Sequence, residues 1–64
     1  MSFKPLVKVD NKFSDNAQRF ETREEADQAA RDIMSRWMLV TDTSVEETTD
    51  PVNFQIKDNV ISML

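Results

Sequence analysis

Twelve carboxylates and eight Lys or Arg side chains carry all the ionic chemistry available to this 64-residue chain, which has no His and no Cys. Acid–base catalysis by a carboxylate pair needs both groups to converge on one substrate. Glu46 and Glu47 are adjacent in a stretch of strand-like sequence, so they point to opposite faces and cannot act together. No Ser has a His to activate it, and a Lys nucleophile needs burial in a pocket that so short a chain can hardly enclose. Without Cys and His the usual zinc, haem and iron–sulfur ligand sets are missing, leaving only an all-oxygen site for a hard cation. The nearest approach to a calcium loop, Asp10–Asn16 "DNKFSDN", lacks both the ligand spacing and the glycine. Glycine is absent from the whole chain, which excludes phosphate-cradling loops. The expectation is a non-enzyme with no cofactor, no metal and no catalytic residue.

The distribution of charge says more than any single residue. Residues 1–40 hold seven bases and seven acids, whereas residues 41–64 hold Asp42, Glu46, Glu47, Asp50 and Asp58 against Lys57 alone. The net charge of −4 therefore falls entirely in the last third of the sequence. Phosphate binding needs clustered Lys and Arg, so nucleic acid is not expected as a direct partner. A basic protein surface fits better, with Asp42, Glu46 and Asp50 as the candidate contacts. The same acids would also keep the chain soluble and block an exposed sheet edge. A second set of candidates is Met34 and Met38, which lie on one flank of a predicted helix, together with Trp37, whose place on the apolar stripe predicts a core role and whose ring edge could serve as a contact.

These residues must be positioned by a few short elements. "TREE" at Thr22–Glu25 reads as a capping box, in which the Thr22 hydroxyl accepts from the Glu25 amide while the Glu25 carboxylate reaches back to the Thr22 amide. Glu24, Glu25 and Asp27 then stand near the start of the helix and Arg36 near its end, as the helix dipole favours. Ala26, Ala29, Ala30, Ile33, Trp37 and Val40 gather within about 100° of arc, the width of a core-facing stripe. Asp27 with Arg31, and Asp32 with Arg36, are acid-then-base pairs at i,i+4, each contributing about 0.2–0.5 kcal/mol. Beyond Val40 the period changes to two. Thr43, Val45 and their neighbours predict a strand over 43–48, Asp50-Pro51 a break, and Val52, Phe54 and Ile56 a second strand. At the other end "FKPLVKV" predicts a first strand, with Pro5 at a sheet edge or strand start. "DNKFSDNA" reads as a loop or loose hairpin, and "DNVISML" is too short to assign.

The predicted fold is a single α+β domain over 1–64, one amphipathic helix packed on a small, mainly antiparallel sheet in the order β-(β)-α-β-β. No apolar run approaches the roughly 18 residues of a membrane span, and "MSFKPLVKV" has no signal-peptide pattern, so a cytoplasmic protein with no membrane partner is expected. The pattern "FETREEA", then "RW", then "VEETTDPVNF", across residues 20–54, resembles a group of small uncharacterised proteins of bacterial and bacteriophage type. That resemblance implies an accessory or inhibitor protein acting by binding a host or partner protein, in the host cytoplasm if of phage origin. The alternatives are a structural, homo-oligomeric component without a separate target, and an acidic mimic of nucleic acid. A homodimer is also expected, because a chain this short builds a thin core and has no disulfide or metal to compensate.

The capping reading carries its own test. Thr22→Ala should lower the stability of the domain by about 0.5–2 kcal/mol, read from the denaturation midpoint, and an unchanged midpoint would remove the cap from this account.

Overall fold

The computed structural model describes all 64 residues as one helix and five strands: β1 (Ser2–Val9), β2 (Lys12–Asp15), α1 (Arg23–Arg36), β3 (Asp42–Thr48), β4 (Phe54–Lys57) and β5 (Val60–Met63). The α+β class read from the sequence holds. The strands form two antiparallel sheets, one in the order β2-β1-β3 and a separate β4-β5 hairpin.

Helix α1 starts at its predicted cap. Thr22 has extended backbone, and its Oγ1 accepts from the Glu25 amide at 3.2 Å. The reciprocal half of the capping box does not form. The Thr22 hydroxyl donates to Glu25 Oε1 at 2.9 Å, and Glu25 Oε2 accepts instead from the Ile56 amide at 2.9 Å, so the carboxylate is spent on joining the helix to β4. The helix also stops earlier than its apolar stripe suggests. Trp37 is already extended at the C-cap, and its N–H donates to the Ile33 carbonyl. Val40 reaches the interior through a reversal in which its N–H donates to the Trp37 carbonyl at 3.1 Å. Both residues lie in phase with the helix, so the 3.6-residue period carried on past the true end.

Strand β1 is central, which corrects the edge position expected from Pro5. Phe3 exchanges two backbone hydrogen bonds of 2.8 Å with Phe20, so the odd residues of β1 direct their backbone groups away from β3 and the even residues towards it. Pro5 therefore lacks its N–H on the β2 side. There β2 has ended at Asp15, opposite Leu6, and residues 16–19 bulge out before Phe20 pairs with Phe3. The ring sits where no donor is required.

Both hairpins turn through an Asp-Asn pair. Asp10, Asn11, Asp58 and Asn59 have φ of 52°, 64°, 53° and 64°, the two positive values that a two-residue type I′ turn demands. Asn and Asp are the residues other than Gly that enter this region most readily. A chain with no glycine has thus placed them at both of its tightest reversals, and "DNVISML" becomes half of an ordered hairpin.

Helix α1 covers the face of the first sheet that carries Phe3, Pro5, Val7, Thr43 and Val45. Its small Ala26, Ala29 and Ala30 are fully buried and let it lie close. Phe20, also fully buried, is the centre of a cluster with Ala26 and Ala29, against which Phe3, Val45, Phe54, Ile56 and Ile61 pack. Its ring meets that of Phe54 at 6.1 Å between centroids. The Arg19 carbonyl accepts from the amides of Asn53 and Phe54 at 3.0 and 3.1 Å, and Asn53 Oδ1 accepts from the Arg19 amide at 2.7 Å. Residues 19–20 therefore stand between β1 and β4 and carry the layer from one sheet to the other.

Phe20→Ala should cost about 3–5 kcal/mol, close to the whole stability of roughly 3–10 kcal/mol expected for 64 residues. Ile33, only half-buried, should cost less than about 2 kcal/mol on the same change. Urea titrations of the two variants check the order, and equal losses would place the core under the helix instead of around Phe20.

Candidate partner-binding surfaces

The acids that dominate the end of the sequence are dispersed in space. Asp42 and Glu46 lie on the open face of the first sheet, because they pair with Lys8 and Lys4 of β1, whose side chains alternate away from the helix. Lys4 sits between two strands and binds Asp15 on one side at 2.9 Å and Glu46 on the other at 3.2 Å. Lys8 lies opposite Asp42 in register and over the Phe13 ring, 5.7 Å from its centroid. Asp50 stands beyond the end of β3 and pairs with Arg19 Nε at 2.9 Å. Strand β3 alone separates the two ends of this acidic set by roughly 20 Å at about 3.3 Å per residue. Of the three candidate acids, Asp42 is the one without an ion pair. Glu46 and Glu47 fall on opposite faces, with Glu47 opposite Phe3.

Arg19 is the most engaged cation. It is mostly buried among its partners, donates from Nη1 to the carbonyls of Asn16 and Gln18, and reaches both Asp50 and, at 3.8 Å, Asp15. These contacts favour the ionised form of the acids. The hydrogen bond from Lys4 holds the Asp15 carboxyl below its ordinary value, and that from Arg19 does the same for Asp50. The hydrogen bonds to Asp15 and then Glu46 raise Lys4.

The apolar candidates, close in sequence around the end of α1, are all exposed. Trp37, expected in the core, is 44% exposed because the helix ends before it, and Met38 just after it is 98% exposed. Met34 and Leu39 are exposed beside them, so four large apolar side chains crowd the end of α1. Asp42 follows three residues later. The sequence placed Met34 and Met38 on one flank and Trp37 on the apolar stripe of a continuing helix; the early C-cap leaves Trp37 exposed as well.

A second apolar surface was not foreseen. Val60, Met63 and Leu64 are exposed on and just beyond β5. The signal was present in the second Asp-Asn pair, flanked by "QIK" and "VIS", which is hairpin chemistry. Beside β5 an open cleft of about 750 Å³ runs between the hairpin and α1, where Phe54 and Ile61 face Gln28, Asp32 and Arg36. Gln28 Nε2 donates to Asn59 Oδ1 across it at 3.2 Å. The cleft is open and mixed in polarity, and the acid and base on its wall, Asp32 and Arg36, are paired with each other at 2.8 Å. No three acidic side chains converge on a point that could hold a metal ion, and no helix is long and apolar enough to cross a membrane.

No protein-family model, curated protein or solved structure matches the chain.

The ion pairs set a pH dependence. Asp15 and Asp50 are depressed in the folded state, so the stability they contribute is present above the ordinary carboxyl value of 3.8 and lost as pH falls through their lower folded values. Lys4 is raised, so its contribution is complete below 10.5 and lost as pH rises through its higher folded value. In thermal melts across pH, Asp50→Asn should therefore flatten the acid side of the profile below about 3.8 and leave the alkaline side unchanged. An unaltered acid side would mean that the Arg19–Asp50 pair contributes nothing to folding.

Proposed function

We propose that the chain is a non-catalytic accessory or inhibitor protein that acts by binding another protein. One observation carries this reading: Phe20 is the largest apolar side chain fully inside, beside three alanines, whereas many other large ones are exposed. The buried apolar set is Val7, Phe20, Val40 and three alanines, while Met34, Trp37, Met38, Leu39, Val60, Met63 and Leu64 are exposed. A contiguous apolar patch of a few hundred Å² on a small protein marks an interaction surface, and Trp and Met are favoured at such contacts, the one as an anchor and the other for adaptability. The group at the end of α1 is the surface proposed for the partner. Asp42, adjacent and unpaired, supplies a rim charge suited to a basic side chain. Glu46 and Asp50, which have cations of their own, are secondary contacts.

The resemblance to small proteins of bacterial and bacteriophage type supports a host or partner protein as the target, in the host cytoplasm if the chain is of phage origin. The mimicry of nucleic acid draws less support. A duplex presents one negative charge per about 1.7 Å of axis, whereas here Lys4 and Arg19 interrupt the acids.

The test compares the wild-type chain with a Trp37→Ser, Met38→Ser, Leu39→Ser variant in affinity capture from a host lysate. Retention of one protein by the wild type and its loss from the variant, at equal helicity and denaturation midpoint, is the expected result. With that protein in hand, Asp42→Lys should slow association at low salt, with the difference shrinking at high salt as charges are screened over about 8 Å. Equal capture by the variant would move the partner surface elsewhere.

A further inference from the structure

The structure has three free strand edges, and they are not protected alike. The outer edge of β2 carries Lys12 and Asp15, and that of β3 carries Asp42, Glu46 and Glu47, the charges that ordinarily stop a strand from pairing with another molecule. The outer edge of β4 is occupied, since the Phe54 and Ile56 amides donate to the Arg19 carbonyl and the Glu25 carboxylate. Strand β5, Val-Ile-Ser-Met, has no charge and no proline, and no strand pairs with its outer edge.

Its backbone geometry can be followed residue by residue. Leu64 donates its N–H to the Asn53 carbonyl, and the register pairs Phe54 with Met63, Gln55 with Ser62, Ile56 with Ile61 and Lys57 with Val60. In an antiparallel ladder bonded pairs alternate, so Ser62 turns its N–H and C=O inward to β4, while Ile61 and Met63 turn theirs outward. Met63 lies on the same face as Ile61, Phe54 and Ile56, the side that packs on the Phe20 cluster. It is nevertheless 74% exposed, because no strand stands beyond it.

We propose that β5 is the pairing edge of a symmetric homodimer, in which β5 of one copy lies antiparallel to β5 of a second with the two-fold axis at Ser62. This goes beyond the partner-binding reading and uses a different surface. The register follows from the outward groups. An axis at Ser62 sets Ile61 opposite Met63 of the other copy, twice, so that all the outward N–H and C=O groups of both residues are used. An axis at Ile61 would leave Met63 facing the Asp58-Asn59 turn. The axis at Ser62 also lays each Met63 beside the other copy's Ile61, extending the face that packs on Phe20.

Charge selects the occupant. Each chain carries −4, and β5 is the one free edge whose strand bears no charge to meet that of a second copy. Met63 on one face of β5 and Val60 and Leu64 on the other are the exposed apolar side chains a second copy would cover, fewer than the roughly 800 Å² per partner of a standard stable interface requires. The dimer is accordingly weak and concentration-dependent, and it tightens as salt screens the net charge.

Because the chain has no cysteine, a single introduced thiol reports the register. Ser62 meets its own copy in a non-hydrogen-bonded pair, where Cα atoms stand about 4.5 Å apart, within the roughly 4.4–6.8 Å that a disulfide spans. Ser62→Cys should form a disulfide-linked dimer under mild oxidation. Gln55→Cys, on the same face one strand further in, should stay monomeric. Sedimentation equilibrium of the wild type should give a monomer–dimer equilibrium in the micromolar range, strengthened by salt. Met63→Lys should abolish it with unchanged circular dichroism, and Met63→Ser, a milder change, should weaken it. The proposal is overturned by a wild-type monomer at millimolar concentration, by cross-linking of Ser62→Cys no faster than Gln55→Cys, or by loss of the dimer in the Trp37, Met38, Leu39 variant but not in Met63→Lys. These readouts use the purified chain alone, so their failure leaves the capture experiment, and the reading it tests, to stand or fall separately.

Discussion

Everything in this molecule hangs on two residues, Arg19 and Phe20, which are bonded on both sides. Towards β1, Phe20 exchanges its backbone hydrogen bonds with Phe3; towards β4, the Arg19 carbonyl takes two amides and its N–H is held by Asn53 Oδ1. The Asn53 side chain completes the joint by donating to the Ala17 carbonyl at 2.8 Å. Without this segment the β4-β5 hairpin would keep hydrogen bonds to the rest of the fold only through Glu25 and Gln28 of the helix, and an isolated two-stranded hairpin is marginal in water. The same segment buries the one large side chain at the heart of the core. A domain that buries so little has its stability concentrated in one place, because the alanines around Phe20 contribute closeness more than area.

Local chemistry was legible in the sequence, and long-range pairing was not. The cap at Thr22, the charge order along α1 and its two i,i+4 ion pairs depend on residues within one turn, and all appear as read, Asp27 with Arg31 at 3.0 Å and Asp32 with Arg36 at 2.8 Å. The diversion of Glu25 to Ile56 could not be read, because it spans 31 positions and competes with a local bond of similar strength. Pro5 misled for a related reason. Proline excludes a donor on one side of a strand only, and which side is free depends on where β2 stops. Trp37 misled because periodicity measures phase and carries no information on length.

The candidate site followed the same division. Met34 and Met38 could be assigned to a flank because a flank is a local property. The acids of residues 41–64 could be counted, but their electrostatic environment is set by β1, which supplies Lys4 and Lys8 from the opposite end of the chain. A charge asymmetry along the sequence thus becomes, across an antiparallel sheet, a set of cross-strand pairs. Opposite charges facing each other on neighbouring strands help fix register, so Glu46 and its neighbours specify how β3 lies on β1 as well as what approaches from solvent.

That double duty bears on where a surface is left free to act. At β2 and β3, Asp15 and Glu46 bind Lys4 of their own sheet, and with Lys12, Asp42 and Glu47 they guard its edges. If solubility alone had shaped the surface, the exposed strand at the end of the chain would be the first place to need a charge, since it presents unpaired backbone and apolar side chains together. The hairpin does hold a lysine and an aspartate, at Lys57 and Asp58, yet both stand at the turn and on β4, and the outward strand has neither. Charge is thus close to the unguarded edge without covering it. The helix end follows the same pattern: four apolar side chains are exposed and the nearest acid, Asp42, lies at the margin. In both places the polar residues frame an apolar surface, an arrangement that leaves it dry enough to pair and marks it off from the solvated remainder of the fold.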